Sequence, residues 1–147
     1  VFGPRQDPDS PYSAVIPIFI TAILQDRRPV IYGDGLQSRD FTYVANVVEA
    51  NLLAADAGGV SGQSFNVAGG QNVTLLEVLR TLNDCLETDV EPVFEQPRVG
   101  DIRKSLADIS KARAALGYEG RVGFAAGVRQ SIGYYRQVHE EKLAQGG

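Results

Sequence analysis

The chain has 147 residues, of which 44% are hydrophobic and 22% are charged, and this balance is typical of one globular domain. Its formal net charge of −4 argues against non-specific binding to nucleic acid. No apolar run approaches the roughly 18 residues of a transmembrane helix, so no membrane partner is expected, and no export leader is visible. The single cysteine, Cys85, cannot form an internal disulfide, which predicts a reducing, cytoplasmic compartment with Cys85 as a small core residue.

The first half of the chain is predicted to alternate loop, helix and strand. Prolines with aspartates and a serine predict a loop over 1–13, and AVIPIFITAIL, 14–24, is predicted to be a buried helix. PVIY, 29–32, is predicted to be a strand closed by the GDG turn, and RDFTYV, 39–44, a second strand or an extended entry to a helix. That helix carries an apolar stripe at helical spacing and ends at two glycines. The stripe is Val44, Val47, Val48 and Leu52, and the glycines are Gly58 and Gly59.

Two further strands and a capped helix are predicted next. SFNVAGG, 64–70, is predicted to be a strand that runs into a glycine turn, and EPVFEQP, 91–97, a strand that ends at a proline. Between them, Thr74 stands three residues before Glu77, which is the spacing of a capping box. The helix that it opens carries one apolar face. That face consists of Leu75, Leu79, Leu82 and Leu86.

Two more helices are predicted towards the end of the chain. Asp108 can cap the first of them, which Gly117 stops. The last helix keeps apolar residues in register from Phe124 to Tyr135. Short strands thus alternate with helices of two to four turns. This pattern predicts an α/β fold with mostly parallel strand pairing and four to five helices.

Two arginines stand where predicted strands begin or end. Arg39 follows a glycine turn, Arg98 follows a predicted strand, and Asp101 comes three residues later. Ligands of α/β sheets bind beyond the carboxyl ends of strands, and an arginine there presents a planar fork that suits phosphate oxygens. A carboxylate can accept from sugar hydroxyls, and an aromatic ring such as Tyr32 can stack on a base. Together these groups predict a nucleotide site.

Simpler interpretations exist for each of these features. Arg39 can instead pair with Asp40 or Asp34 on the surface. Arg98 and Asp101 can be ordinary loop charges. The only histidine, His139, lies in a polar tail, so with one cysteine neither a zinc cluster nor a Ser-His-Asp set is plausible. The Gly69-Gly70 pair lacks the spacing of a dinucleotide fingerprint and is interpreted as a turn.

Four segments, in order along the chain, resemble one known family. They are VFGPRQDPDSPYSAVIPIFI, VIYGDGLQSRDFTYV, FNVAGGQNVTLLEVL and PRVGDIRKSLADISKARAALGYE. They resemble the carboxyl-terminal part of an extended short-chain dehydrogenase/reductase of the NAD-dependent epimerase/dehydratase family, and within it the UDP-glucose and UDP-N-acetylglucosamine 4-epimerases. The resemblance implies that 1–147 is the substrate-binding region, an incomplete Rossmann-type fold without its NAD-binding region. It also implies hydride removal from the sugar C4, rotation of the keto sugar, and hydride return to the opposite face.

The resemblance assigns residues to each part of a UDP-sugar. The arginine of the G-D-G-x-x-x-R-D-[FY] stretch, Arg39 here, would hold the phosphates. Arg98 of P-R-x-G-D would share the diphosphate, and Asp101 would bind the ribose. Tyr32 and Val30 would flank the uracil.

Four further residues are assigned to the same substrate by the resemblance. Ala14 and Val15 would line the uracil pocket, and Gln6, which follows G-P-R, would contact the sugar. Ser105 stands where a bulky tyrosine is associated with glucose/galactose selectivity. A smaller side chain there leaves room for an N-acetyl group, which favours UDP-N-acetylglucosamine as an accepted substrate.

The family's catalytic and cofactor residues are absent from this sequence. No tyrosine is followed four residues later by lysine, and no glycine-rich NAD fingerprint occurs. The chain alone is therefore expected to be catalytically inert and not to bind NAD, and the lack of methionine suggests part of a longer protein. Exposed apolar faces would favour self-association or pairing with the missing N-terminal region. The alternatives are a free-standing binding or assembly module of this family, or part of a nucleotide-sugar dehydratase or decarboxylase.

Overall fold

The computed structural model describes residues 1–7 and 15–145. The helices in these ranges are α1 (Val15–Leu24), α2 (Val44–Asp56), α3 (Leu75–Leu86), α4 (Ser110–Leu116) and α5 (Phe124–Gln145). The strands are β1 (Val30–Tyr32), β2 (Ser38–Arg39), β3 (Val73–Thr74) and β4 (Val93–Glu95). The predicted α/β fold with four to five helices is confirmed.

Two short strand pairs place the loops that carry the charged residues. β1 and β4 run parallel, with Ile31 opposite Phe94, so the chain leaves both strands at the same end. β2 and β3 run antiparallel, which is an exception to the mostly parallel pairing that was predicted. A single parallel bridge joins Ser38 of β2 to Lys104. The segments that follow β1 and β4 are thereby held together beside β2.

The larger hydrophobic core lies between α1, α3 and α5. Burying one aliphatic side chain of this size contributes roughly 1.5–3 kcal/mol relative to leaving it exposed, so these contacts are the main attachment of the three helices. Cys85 of α3 packs at the margin of this core, where burial raises the pKa of its thiol. Core members include Ile16, Phe19, Ile20, Val78, Leu82, Val128 and Ile132.

A smaller core lies between α2 and α4, and it changes the interpretation of the segment 64–70. This segment forms no strand pairing within the described ranges, so the predicted strand is wrong. Phe65 and Val67 instead pack against this core, which includes Ala50 and Ala112, and the Tyr118 hydroxyl donates to the carbonyl of Ala68 at 2.7 Å. The apolar side chains of this segment are buried against helices α2 and α4, because no other strand of the described residues pairs with it.

The ends of α3 and α4 lie close to the predicted capping residues, but the start of α4 is shifted. Thr74 Oγ1 accepts from the Glu77 N–H at 3.2 Å, and the Glu77 carboxylate accepts from the Thr74 N–H at 2.7 Å, which confirms the capping box. These hydrogen bonds from Thr74 lower the pKa of Glu77. Helix α4 begins at Ser110, two residues beyond Asp108, whose carboxylate accepts the Ser110 N–H at 2.9 Å. It ends as predicted at Gly117, with φ of 67°.

Helix α2 turns its apolar stripe towards solvent. Val44, Val48 and Leu52 are 38%, 54% and 64% exposed, whereas Asn46 and Ala50 face the interior. The expectation that this segment exposes an apolar face is confirmed. The helix ends at Asp56, before the two glycines that were predicted to stop it.

Candidate functional site

A cavity of about 500 Å³ lies beside the carboxyl end of β1. Most of the residues predicted to bind a nucleotide sugar line it, and they come from α1, β1, β2 and the loop that follows β4. The tertiary fold therefore brings together side chains that are far apart in the sequence. They are Val15, Val30, Tyr32, Arg39, Arg98 and Asp101.

One wall of this cavity is apolar. Val15, Ile18 and Phe19 contribute to it from α1, and Val30 contributes from β1. Ile18 and Val30 remain 45% and 37% exposed, although the opposite faces of both elements are buried in the core. The wall thus offers apolar surface to any flat or hydrophobic group that enters.

The charged wall centres on an ion pair between Arg39 and Asp101. Their closest atoms, Arg39 Nη2 and Asp101 Oδ1, are 2.6 Å apart, and the two side chains are 30% and 36% exposed. The other amino group, Nη1, donates to the carbonyl oxygens of Ser38, at 2.9 Å, and of Ile102. These contacts anchor the guanidinium at the mouth of the cavity and tie β2 to the loop after β4.

The simpler pairings of Arg39 with its acidic neighbours in the sequence are wrong. Asp40 accepts the backbone N–H groups of Gly69 and Gly70 at 2.8 and 3.1 Å. Asp34 pairs with Arg103, with the two arms of the guanidinium 2.7 and 2.8 Å from the two carboxylate oxygens. Each neighbouring carboxylate thus has a partner other than Arg39.

Arg98 stacks on an aromatic ring. Its guanidinium carbon lies 3.9 Å from the centroid of the Tyr32 ring, within the range of a cation–π contact. This face of Tyr32, which was predicted to stack on a base, is therefore covered by Arg98.

A larger cavity of about 1000 Å³ shares Tyr32, Arg98 and Asp101 with the first cavity. The ion pair of Asp34 with Arg103 borders it. The hydrogen bonds from Arg103, with a further one from the backbone N–H of Leu36, lower the pKa of Asp34 to about 2. Asp34 belongs to the glycine turn after β1, so this pair fixes the turn against the loop that follows β4.

Gln37 is a site residue that the sequence reasoning missed. It lines both cavities and is only 6% exposed. Its side-chain amide donates to the Tyr32 carbonyl at 2.6 Å and approaches the Asp101 carboxylate at 3.5 Å. Its position could have indicated a role in the site, because Gln37 lies between Gly35 of the turn and Arg39, which was predicted to bind phosphate.

Comparison with known proteins shows what the chain is similar to. The model of the NAD dependent epimerase/dehydratase family matches residues 1–68. A UDP-glucose 4-epimerase of Mycolicibacterium smegmatis is 37% identical over 136 residues, which are 92% of this chain and 43% of that protein. The chain is similar to the NAD-dependent epimerase/dehydratase family. The next comparisons concern solved structures of that family.

Two solved epimerases share the fold. The UDP-glucose 4-epimerase of Thermotoga maritima, solved with UDP-glucose, superposes with a TM-score of 0.86 at 38% identity and covers 93% of this chain and 43% of its own. The UDP-N-acetylglucosamine 4-epimerase of Methanobrevibacter ruminantium, solved with UDP-N-acetylmuramic acid, has a TM-score of 0.83 at 41% identity, with coverage of 93% and 44%. The chain thus spans less than half the length of these epimerases.

Two residues predicted from the epimerase resemblance, Gln6 and Ser105, do not line the 500 Å³ cavity. Gln6 borders a separate cavity of about 250 Å³ beside α5, where its carbonyl accepts from the Tyr135 hydroxyl at 3.2 Å. Ser105 is exposed, and its backbone N–H donates to the carbonyl of Ser38 at 3.1 Å. Ala14 lies outside the described residues.

Two further features are absent from the residues that the structure describes. Residues 1–7 and 15–145 contain no group of three or more side chains that could hold a metal ion. Within them, every helix is too short or too polar to cross a membrane.

Proposed function

We propose that this chain forms the UDP-sugar-binding part of an NAD-dependent sugar-nucleotide 4-epimerase. The observation that carries the proposal is the convergence of Arg39, Arg98 and Asp101 on one cavity that also has an apolar wall. A nucleotide sugar has matching parts, since its diphosphate suits the two guanidinium groups and its ribose suits the carboxylate. The flat base suits the apolar wall.

Both arginines retain hydrogen-bond donors for a phosphate. A guanidinium carries five N–H groups in one plane. Arg39 uses Nη1 for the carbonyls of Ser38 and Ile102 and one Nη2 proton for Asp101, which leaves Nε–H and the second Nη2 proton. The Arg98 guanidinium lies over the Tyr32 ring and makes no hydrogen bond or ion pair with the described residues, so its N–H groups remain for phosphate oxygens. Bound diphosphate would compete with Asp101 for the charge of Arg39, and we therefore predict weak affinity.

The chemical step is proposed to need residues outside this sequence. The six tyrosines are followed four residues later by Ile16, Leu36, Val47, Val122, Val138 and His139, and none of these can serve as the lysine of a Tyr-x-x-x-Lys pair. Bound NAD would accept and return the hydride of the sugar C4. The role proposed for this chain is to hold the nucleotide so that the sugar reaches that chemistry.

The proposal is tested by calorimetric titration of the chain with UDP, UDP-glucose and UDP-N-acetylglucosamine. We expect saturable binding of all three, and a loss of about 10- to 100-fold in affinity for Arg39→Ala and for Arg98→Ala, because each removes charge-assisted hydrogen bonds to phosphate. Arg121→Ala is the matched control, since Arg121 pairs with Glu49 away from the cavity. Absence of binding, or equal affinities for all the variants, would refute the proposal.

The finer assignments remain predictions. We propose UDP-N-acetylglucosamine as an accepted sugar because Ser105 is small, and a dehydratase or decarboxylase reaction is the alternative that product analysis of the whole enzyme would reveal. A non-catalytic module of the same family is the second alternative. Cytoplasmic localisation rests on the single cysteine and stays a prediction.

A further inference from the structure

The segment 96–106, which we call the strap, carries Arg98 and Asp101 of the proposed site. Every residue of the strap is exposed to solvent. Exposed side chains gain little from the hydrophobic effect, so hydrogen bonds and ion pairs must hold such a segment in place. The contacts that fix the strap therefore also fix Arg98 and Asp101 at the cavity.

Polar contacts at its far end join the strap to β2 and to the turn after β1. The Ser38 N–H donates to the Arg103 carbonyl at 3.0 Å, and the Ser105 N–H donates to the Ser38 carbonyl at 3.1 Å. The Arg103 guanidinium also pairs with Asp34 through both of its arms, at 2.7 and 2.8 Å. A two-pronged contact fixes orientation as well as distance, so this pair is suited to hold the strap at one angle.

A bound diphosphate would weaken one of the two ion pairs that join the strap to other described residues. It would compete with Asp101 for the charge of Arg39, so that pair loosens when the site fills. The pair of Asp34 with Arg103 shares no residue with it and borders the larger cavity instead. In the occupied site, the second pair is therefore the one that remains to hold the strap.

We propose that Asp34 and Arg103 are positioning residues of the nucleotide site, whose ion pair anchors the strap and so keeps Arg98 and Asp101 directed towards the ligand. This inference rests on the proposed function, because it assumes that a nucleoside diphosphate occupies the 500 Å³ cavity. Neither Asp34 nor Arg103 lines that cavity, so both act through the strap and not by contact with the nucleotide.

Asp34→Asn separates positioning from simple electrostatics. Asparagine keeps an oxygen that can accept the Leu36 N–H, as Asp34 Oδ1 does at 2.9 Å, so the turn is preserved. The change removes a negative charge near a site for an anion and releases the Arg103 guanidinium, and by charge alone both effects would strengthen binding. The positioning role predicts the opposite sign, because a strap without its anchor presents Arg98 and Asp101 less often in the binding geometry.

The test measures the affinity for UDP by calorimetry at low salt. We expect Asp34→Asn and Arg103→Gln each to bind UDP about three- to fivefold more weakly, the effect of a partly exposed ion pair, and the double variant to bind no more weakly than either. Arg103→Lys, which keeps the charge, should bind UDP better than Arg103→Gln. Arg121→Gln is the control, since Arg121 pairs with Glu49 away from the cavity.

Limited trypsin digestion tests the anchor without a ligand. Trypsin cleaves after arginine, and the bond between Arg98 and Val99 lies in the exposed strap. Cleavage follows the population of the open form, so Asp34→Asn should raise the cleavage rate after Arg98 about three- to fivefold. Cleavage after Arg121, which is also exposed, should not change.

Circular dichroism melting establishes that each variant is folded, and Arg103→Gln supplies the same cleavage comparison if Asp34→Asn is not. Equal or stronger binding of UDP by Asp34→Asn, or an unchanged cleavage rate after Arg98, would overturn this inference alone. Failure of UDP to bind the unaltered chain would overturn the proposed function. The cleavage rate would then decide by itself whether the pair anchors the strap.

Discussion

At the scale of single residues, charged side chains around the cavity hold two loops together. Asp34 stands in the turn after β1 and Arg103 in the loop after β4, and the pair joins them. The side chains are 51% and 64% exposed, so salt weakens their attraction, but the two-pronged geometry favours the charged form of the carboxylate. We therefore expect the pair to have a small effect on the free energy of unfolding at neutral pH and a visible effect on how that free energy changes with pH.

Asp34→Asn should change the acid sensitivity of the fold. The pKa of Asp34 falls from an ordinary 3.8 to about 2 in the folded chain. Its stabilising contribution is therefore complete above pH 4 and is lost as the pH falls through about 2. We expect the unaltered chain to melt at a higher temperature than Asp34→Asn at pH 6, and the difference to vanish near pH 2.

The control for this pair is Arg103→Gln, which removes the partner and not the carboxylate. It should lower the melting temperature at pH 6 by a similar amount, and the double variant should lose no more than either single one. Melting curves at several pH values, recorded at low and high salt, provide the measurement. A difference between the unaltered chain and Asp34→Asn that persists unchanged at pH 2 would contradict the assignment.

At the scale of elements, α5 approaches the amino-terminal segment so closely that one position has no room for a side chain. A Cβ atom at Gly127 would lie 2.8 Å from the ring of Tyr43 and 2.9 Å from that of Phe2. Both rings are buried in the core. The bridge between Phe2 and Tyr43 holds the first residues of the chain at the start of α2, so this contact joins three parts of the fold.

Gly127→Ala should therefore destabilise the fold in spite of the better helix propensity of alanine. We expect a loss of about 1–3 kcal/mol in the free energy of unfolding, because the rings must move to admit the methyl group. The same change at Gly133, also in α5, meets no described atom within 4 Å and should stabilise by about 0.5–1 kcal/mol. Urea denaturation with a common slope separates the two outcomes. Equal effects at both positions would disprove the packing argument.

At the scale of the whole molecule, the stripe of Val44, Val48 and Leu52 on α2 is uncovered among the described residues. Contiguous apolar surface of this kind marks a contact with another chain or another part of the same protein. We predict that the chain associates with itself through this stripe when nothing else covers it. The sedimentation coefficient should then rise with protein concentration.

Val48→Glu with Leu52→Glu should keep the chain monomeric without unfolding it, because both side chains are exposed already. Leu143→Glu is the control, since Leu143 is equally exposed, at 65%, but lies near the end of α5. Sedimentation velocity over a hundredfold range of concentration gives the result. A monomer at every concentration of the unaltered chain would exclude self-association through this surface.

Local signals in the sequence predicted local structure well. The capping box of Thr74 with Glu77 and the stop at Gly117 depend on residues a few positions apart, and both were found where predicted. The strand expected over 64–70 failed because a strand needs a partner, which is a property of the whole fold. The contacts of Arg39 with Asp101 and of Arg98 with Tyr32 could not be predicted from the sequence either, because both depend on how the loop after β4 folds back.

The two neighbours in the Arg39–Asp40 dipeptide act in opposite directions. Successive residues of an extended segment point to opposite sides, so the cation turns to the mouth of the cavity while the anion turns to the Gly69-Gly70 turn and holds both of its amides. A displacement of the Gly69-Gly70 turn would thus also move the guanidinium of Arg39. The position of Arg39 at the cavity therefore depends on the hydrogen bonds that Asp40 accepts on the other side of the chain.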